Sequence, residues 1–325
     1  MTLVQGGIVM DNLPDFPEVF DSSMRSALVS CPRQFFYGYL LGLRKSGQSI
    51  HLHFGGCIAK GLEITRLAFW QDGLTEVQAV AAGCQAVFQA WGDFEPTEEI
   101  LASRAGVKSL DAALDALYSY FEQFPLGSDQ LSPLMIDGEP MVEKSFALPV
   151  PGTAHPVTGQ PIIYAGRFDM LASFQDAIFV VDEKTTMALG ATWRSNWPLR
   201  GQITGYCWGG RSFGLNVTGA VIRGIAILKS SIQFEQVVLT RPDWLVDDWL
   251  RQLARDINRA AGMWIEARDK FSEQPYRAWD QAFDQACSAY GGCGFTGLCE
   301  SEHPENWYDS FIVQKWDPLH RESDA

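Results

Sequence analysis

Asp169, the run Asp182-Glu183-Lys184, and the pair Gln202 and Tyr206 are the residues of this chain whose types and spacing could do chemistry. Residues 162–173 (IIYAGRFDMLAS) read as a strand that delivers Asp169, and Gln175-Asp176 as a turn. Residues 177–182 then form the hairpin partner, which runs straight into an acid, an acid and a lysine. Two antiparallel strands bringing two carboxylates and an ammonium to one end suit Mg²⁺-assisted phosphodiester hydrolysis. Hard carboxylate oxygens hold the ion, and the lysine positions or deprotonates the attacking water and offsets negative charge. A lone D-E-K is most often a solvated turn. Here Val180-Val181 implies burial up to Asp182, and Gly166 permits a close backbone approach beside Asp169. Gln202 and Tyr206, four apart, share a helix face. Together these features favour the catalytic reading.

The cysteines form a second group. Seven are present, and Cys287, Cys293 and Cys299 fall in a glycine-rich loop with two five-residue gaps. Glycines let a backbone curl around a small inorganic object, and three thiolates need a fourth ligand, for which Cys31 in a Cys-Pro-Arg turn is the candidate. Zinc would accept the same four thiolates, although its structural sites use shorter knuckles. An odd cysteine count without signs of secretion argues against disulfides. Cys57, Cys84 and Cys207 read as plain buried thiols.

These groups need a scaffold. The chain has 325 residues, 46% of them apolar, with 11 Trp and 20 Phe, so it is long enough to bury one large core. Residues 1–20 read as a loose acidic lead-in without a signal peptide, and no run is long and apolar enough to span a bilayer; a cytoplasmic protein is expected. A helix is expected from Ser22 to Leu43, starting at a serine cap and interrupted at Pro32. Residues 50–126 read as three helices, 140–150 as a strand, and 219–228 as a buried strand with 232–240 as its edge partner. Residues 243–271 read as a long amphipathic helix turning Trp244, Trp249 and Trp264 to the core. The whole is expected to be one α/β domain over residues 1–325, with a central mixed sheet. Its parts are an N-terminal segment (20–45), a helical region (46–135), a catalytic core (139–240) and a C-terminal helix with the cysteine triplet (241–325).

The order G-x-x-D, apolar strand, D-E-K-T, Q-x-x-x-Y resembles the RecB-like branch of the PD-(D/E)XK nuclease superfamily, which includes AddB-like and CRISPR-adaptation exonuclease-like members. The N-terminal Cys31-Pro32-Arg33-Gln34-Phe35-Phe36-Tyr37 and Phe54-Gly55 to Leu62-Glu63 follow the same family's opening segment. The resemblance implies a restriction-endonuclease-like core with a helical insertion. It implies Asp169 and Asp182 as ligands of Mg²⁺ or Mn²⁺, Glu183 as a backbone-carbonyl donor, and Lys184 as the catalytic lysine. Gln202 and Tyr206 match the accessory motif. It further implies a [4Fe–4S] cluster on Cys31, Cys287, Cys293 and Cys299, forming an iron–sulfur lobe that joins the two chain ends. One position departs: where the family carries a metal-binding histidine, this chain has Ala59. Either the protein works without that ligand, or the histidine has been replaced and the site disarmed.

The resulting expectation is a metal-dependent DNA exonuclease acting on ends or single strands, with recombination or repair proteins as partners and a phage or bacterial recombination setting. The alternative is a non-catalytic DNA-end-binding or assembly factor that keeps the scaffold. The net charge of −14 speaks against a general DNA-coating protein. Contact would then rest on local cations among Arg25, Arg33, Arg44, Lys45, Lys60, Arg194 and Arg200, with Phe35, Phe36, Tyr37, Trp193 and Trp197 as candidates for base stacking.

Overall fold

The computed structural model describes residues 13–47, 49–283, 285–288 and 292–319. Residues 1–12 of the expected lead-in and 289–291 of the cysteine loop lie outside the described residues. The principal elements are β1 (Val19–Phe20), α1 (Ser22–Ser30), α2 (Ile50–Trp70), α3 (Glu76–Trp91), α4 (Leu110–Gln123), β2 (Val142–Pro149), β3 (Ile163–Phe174), β4 (Ala177–Thr186), α5 (Gly201–Arg211), β5 (Val217–Ile227), β6 (Ile232–Thr240) and α6 (Asp243–Lys270). They gather into two compact units. Of the described residues, the first unit takes 13–47, 147–165 and 247–319, and the second takes 49–146 and 166–246.

The second unit is built on a mixed sheet in the order β3-β4-β5-β6. β3 and β4 are antiparallel, β4 and β5 parallel, β5 and β6 antiparallel. The β3–β4 hairpin turns at Gln175 and Asp176, whose φ values of 49° and 61° are the left-handed pair a two-residue hairpin turn requires. Its register pairs Met170 with Val181. One residue further, Asp169 and Asp182 stand opposite each other, and the two-residue side-chain period puts them on the same side of the sheet. Strand β4 continues to Thr186, so Asp182, Glu183 and Lys184 lie inside the strand rather than beyond its end.

Against this sheet the apolar stripes of α2, α3 and α4 pack Phe54, Ile58, Leu62, Val87 and Leu117 with Ile225 of β5. The helices approach closely because Gly83 has no side chain: a Cβ there would lie 1.9 Å from Thr65 Oγ1 and 2.8 Å from the Gly61 carbonyl. Gly83→Val is expected to cost about 1–3 kcal/mol by overpacking, read as a lower denaturant midpoint. Helix α3 begins in a capping box between Thr75 and Gln78, as its sequence chemistry dictates.

In the first unit β1 pairs in parallel with Ile163 and Tyr164. The segment expected as one helix from Ser22 is α1 followed by Cys31 in extended conformation, a short turn Pro32–Phe35, and a π-helical stretch Phe36–Leu40. Its cap is Asp21, which accepts from the Met24 N–H at 2.8 Å, not Ser22, because the aspartate side chain already meets the orphan amide. Trp249 and Trp264 of α6 are buried as expected, but Trp244 is 64% exposed. Five residues separate it from Trp249, a rotation of about 140° away from the buried face. Among the described residues, no helix is long and apolar enough to cross a membrane.

Candidate active site

Three strands and one helix of the second unit supply the groups. Gly166, three residues before Asp169, lies against the Phe146 ring; a Cβ there would stand 2.7 Å from Phe146 Cζ. That contact fixes the approach of β3 just ahead of its acid. Asp182 is fully buried, and its Oδ1 accepts from the Lys184 ammonium at 2.7 Å. Its Oδ2 is buried with no hydrogen-bond partner. Asp169 Oδ2 accepts from the Glu183 backbone N–H at 2.9 Å. On α5, Gln202 Nε2 donates to the Tyr206 hydroxyl at 3.0 Å, so the pair meets across one helical turn as the spacing predicts.

The electrostatics follow from crowding acids in a dry place. Burial, then the Asp182 and Glu143 charges, push Asp169 well above the ordinary carboxylate range. Burial also raises Asp182, with the Lys184 ammonium opposing it. Lys184 is held above its usual value by Asp182 and Asp169, which overcome its own desolvation. Burial and the same two aspartates raise the Tyr206 phenol well above its usual value. Glu183 alone moves downward: burial opposes its charge, but the Arg66 guanidinium more than compensates.

A hard divalent cation fits this donor set, because a buried carboxylate oxygen without a partner and a second, mutually repelling carboxylate are the groups that such an ion satisfies. Among the described residues, no three His, Cys, Asp or Glu side chains stand together closely enough to hold a metal by themselves. Two carboxylates plus a backbone carbonyl and water match the sparse protein ligation typical of Mg²⁺.

Ala59 lies on a defined stripe of α2. Gly55 sits near Thr185 of β4 and Arg66 pairs with Glu183, and the helical period places residue 59 within about 40° of both. Residue 59 therefore faces the side of β4 that carries Glu183 and Thr185, opposite to that of Asp182 and Lys184. Glu63 forms an ion pair with Lys60 at 3.2 Å.

Several neighbours of the candidate site escaped sequence reasoning. Arg66, Tyr120, Asp129 and Arg223 form a buried network behind Glu183. Arg223 carried a visible signal, an arginine inside the apolar run GAVIRGIAIL, which demands a buried partner. Glu143 gave none: its carboxylate is 7% exposed and pairs with Arg167 at 3.4 Å, from a left-handed residue (φ 51°) within β2.

The expected stacking surface is not one. Phe35, Phe36 and Tyr37 are wholly buried, with Phe36 stacked on Trp279, and Trp193 and Trp197 are buried as well. Among the candidate cations, Arg25 is paired with Asp256, Arg33 donates to the Trp279 carbonyl, Arg44 to the Gly38 carbonyl, and Arg194 pairs with Glu235. Lys45 and Arg200 are exposed, and the Arg200 charge reaches Asp182.

All seven cysteines are free thiols. Cys57 and Cys207 are buried as expected, and burial pushes the Cys207 thiol to about 12, whereas Cys84, expected to be buried too, is only half-buried at the edge of the helical core. Cys31, Cys287, Cys293 and Cys299 belong to the first unit. Burial raises the Cys293 and Cys299 thiols above their usual value. Cys287 Sγ donates to the Ala282 carbonyl, and among the described residues the cysteines form no group that could hold a metal, so the expected cluster site is not assembled.

A family model described as the PD-(D/E)XK nuclease superfamily matches residues 23–300, most of the chain. The chain belongs to the PD-(D/E)XK nuclease superfamily. PD-(D/E)XK nucleases use divalent metals, in agreement with the donor set on β3 and β4, and the family implies a DNA substrate. Comparison with curated proteins gives no match. Among solved structures, the chain is similar to the "Putative exonuclease" from Eubacterium rectale, at 11% identity over 83% of this chain and 86% of that one, TM-score 0.47. It is also similar to SSO0001, at 15% identity over 62% and 73%, TM-score 0.25. At these values neither contributes to the assignment, which rests on the family match.

Proposed function

We propose that this PD-(D/E)XK protein is a Mg²⁺- or Mn²⁺-dependent deoxyribonuclease, an exonuclease acting at DNA ends or on single strands. The observation that carries the reading is the Asp182 carboxylate, fully buried, with one oxygen on Lys184 and the other without any partner. Asp169, Asp182 and the Glu183 carbonyl are the residues that would hold the metal, which supplies charge neutralisation at the scissile phosphate and at the attacking water. Lys184, held charged between Asp182 and Asp169, orients that water and offsets the negative charge that builds on the phosphate. Gln202 braces the Tyr206 hydroxyl, which stays protonated and serves as a hydrogen-bond donor toward the backbone of the substrate. Arg200, exposed at the start of α5, contributes a cation on the same side.

A specific observation favours a second reading, a DNA-end-binding factor without turnover. Ala59 stands where the resemblance implies a metal-binding histidine, on a stripe of α2 that meets the Glu183 and Thr185 side of β4. The two readings separate on Ala59→His. If the chain is a nuclease working without one ligand, this substitution is expected to raise Mn²⁺-dependent cleavage about tenfold or more, by restoring one ligand's share of metal affinity. DNA that is bound but left intact by both forms would favour the binding factor.

Cys31, Cys287, Cys293 and Cys299 of the first unit are proposed, on the family resemblance, as ligands of a structural [4Fe–4S] cluster that would gather them, although no step of hydrolysis passes through them. The reading is supported by the match of the four cysteines to the family's layout and by their placement in one unit. Anaerobically purified protein is expected to be brown and to contain iron and acid-labile sulfide, both lost in Cys293→Ser. Colourless protein containing zinc would contradict it.

A further inference from the structure

Strand β4 presents Asp182 and Lys184 to one side of the sheet and Glu183 to the other. Glu183 is nevertheless the most heavily bonded residue of the three. Its carboxylate, 4% exposed, accepts from Nη1 and Nη2 of Arg66, which is itself 4% exposed, and from the Tyr120 hydroxyl at 2.8 Å. Arg66 Nη2 also donates to the Tyr120 oxygen at 3.1 Å, and Arg223 Nη1 does so at 3.0 Å. Arg223 is fixed in turn by a two-pronged pair with Asp129, both contacts at 2.7 Å, and by Gln236 at 3.1 Å. Two buried guanidiniums, two carboxylates and one phenol thus close a neutral network. It ties α2, α4 and β5 to the central residue of the acidic strand. From that residue the chain reaches the opposite face, since the Glu183 backbone N–H holds Asp169 Oδ2.

We infer that Arg66 is a positioning residue for the reaction, fixing Glu183 so that its neighbours Asp182 and Lys184 and its N–H partner Asp169 keep one geometry. This rests on the nuclease reading above. Arg66 touches none of the reacting groups and acts only through Glu183. A flat, two-pronged guanidinium locks both the position and the rotation of a carboxylate, which an ammonium does not. The network lies behind the site, as the outer supports of metal ligands do, and loss of such supports weakens metal binding by about 10–100-fold.

The test uses the full chain and separates positioning from folding. Arg66→Met combined with Glu183→Met removes both charges with apolar groups of similar length, which buried pairs tolerate far better than loss of one partner. Mn²⁺ binding is followed by the EPR signal of the free ion, and thermal unfolding is recorded on the same samples, beside Arg66→Lys and Asp182→Asn. The double variant is expected to stay folded and to bind Mn²⁺ about tenfold more weakly. DNA cleavage should recover toward the parent rate as Mn²⁺ is raised, with Arg66→Lys in between. Mn²⁺ affinity unchanged in a folded double variant, but lost in Asp182→Asn, would overturn the positioning role and leave the nuclease reading standing. Mn²⁺ that binds the parent and Asp182→Asn alike would overturn both.

Discussion

Asp169→Asn is expected to abolish metal-dependent cleavage, by about three orders of magnitude or more, while making the metal-free protein more stable at neutral and alkaline pH. The first effect follows from removing an anionic ligand, since the metal supplies several kcal/mol at the transition state and each 1.4 kcal/mol is about tenfold. The second follows from desolvation. Asp169 is raised well above its ordinary value by burial and by Asp182, so the folded state holds its proton more tightly than the unfolded chain, where aspartate titrates near 4. A raised pKa of this sign contributes stability that is fully present below about pH 4 and is lost as pH rises through the folded value. The asparagine oxygen still accepts from the Glu183 N–H, so the hydrogen bond at 2.9 Å survives the change. Melting curves in chelator between pH 5 and 8 should fall with pH in the parent and run flatter and higher in Asp169→Asn. Mn²⁺ should restore the parent at pH 8 and leave the variant unmoved. An Asp169→Asn protein that melts lower than the parent across this range would contradict the account of a carboxylate held in place for a cation.

Arg66→Ala is expected to produce the largest loss of stability of any single change at the site, about 3–5 kcal/mol, because it leaves the Glu183 charge buried with the Tyr120 hydroxyl as its hydrogen-bond partner and the Arg223 charge behind it. Burial works against Glu183 as an anion, and the Arg66 charge is the principal group that keeps it ionised in the fold. Glu183→Ala strands Arg66 in the same way. The paired change Arg66→Ala with Glu183→Ala should cost far less than the sum of the two single losses, the signature of two residues that act as one unit. Denaturant unfolding of the four proteins measures this coupling directly. Additive losses would mean that the network is a set of independent contacts.

Much of the site was legible because its residues are close in sequence. The hairpin of β3 and β4 announces itself through two apolar runs around a two-residue turn, and Gln202 and Tyr206 through helical spacing. The bond between them and the placement of Asp169 opposite Asp182 follow from those local periods. What supports the site was not legible. Arg66 and Glu183 are 117 residues apart, and only the packing of α2 against the sheet brings them together. The aromatic run Phe35-Phe36-Tyr37 illustrates the opposite error: it has the composition of a base-stacking surface, yet all three rings are buried, Phe35 and Phe36 against Trp279 and Tyr37 against Phe295 and Tyr308. Composition cannot separate a platform from a core, because both need large flat apolar groups.

The central claim, a metal-dependent nuclease built on Asp169, Asp182 and Lys184, is tested most directly by cleavage of end-labelled single- and double-stranded DNA with Mn²⁺, comparing this chain with Lys184→Ala. The account predicts Mn²⁺-dependent release of labelled product by the parent chain, abolished by chelator and lost in a folded Lys184→Ala variant. Cleavage that persists unchanged in Lys184→Ala would contradict it.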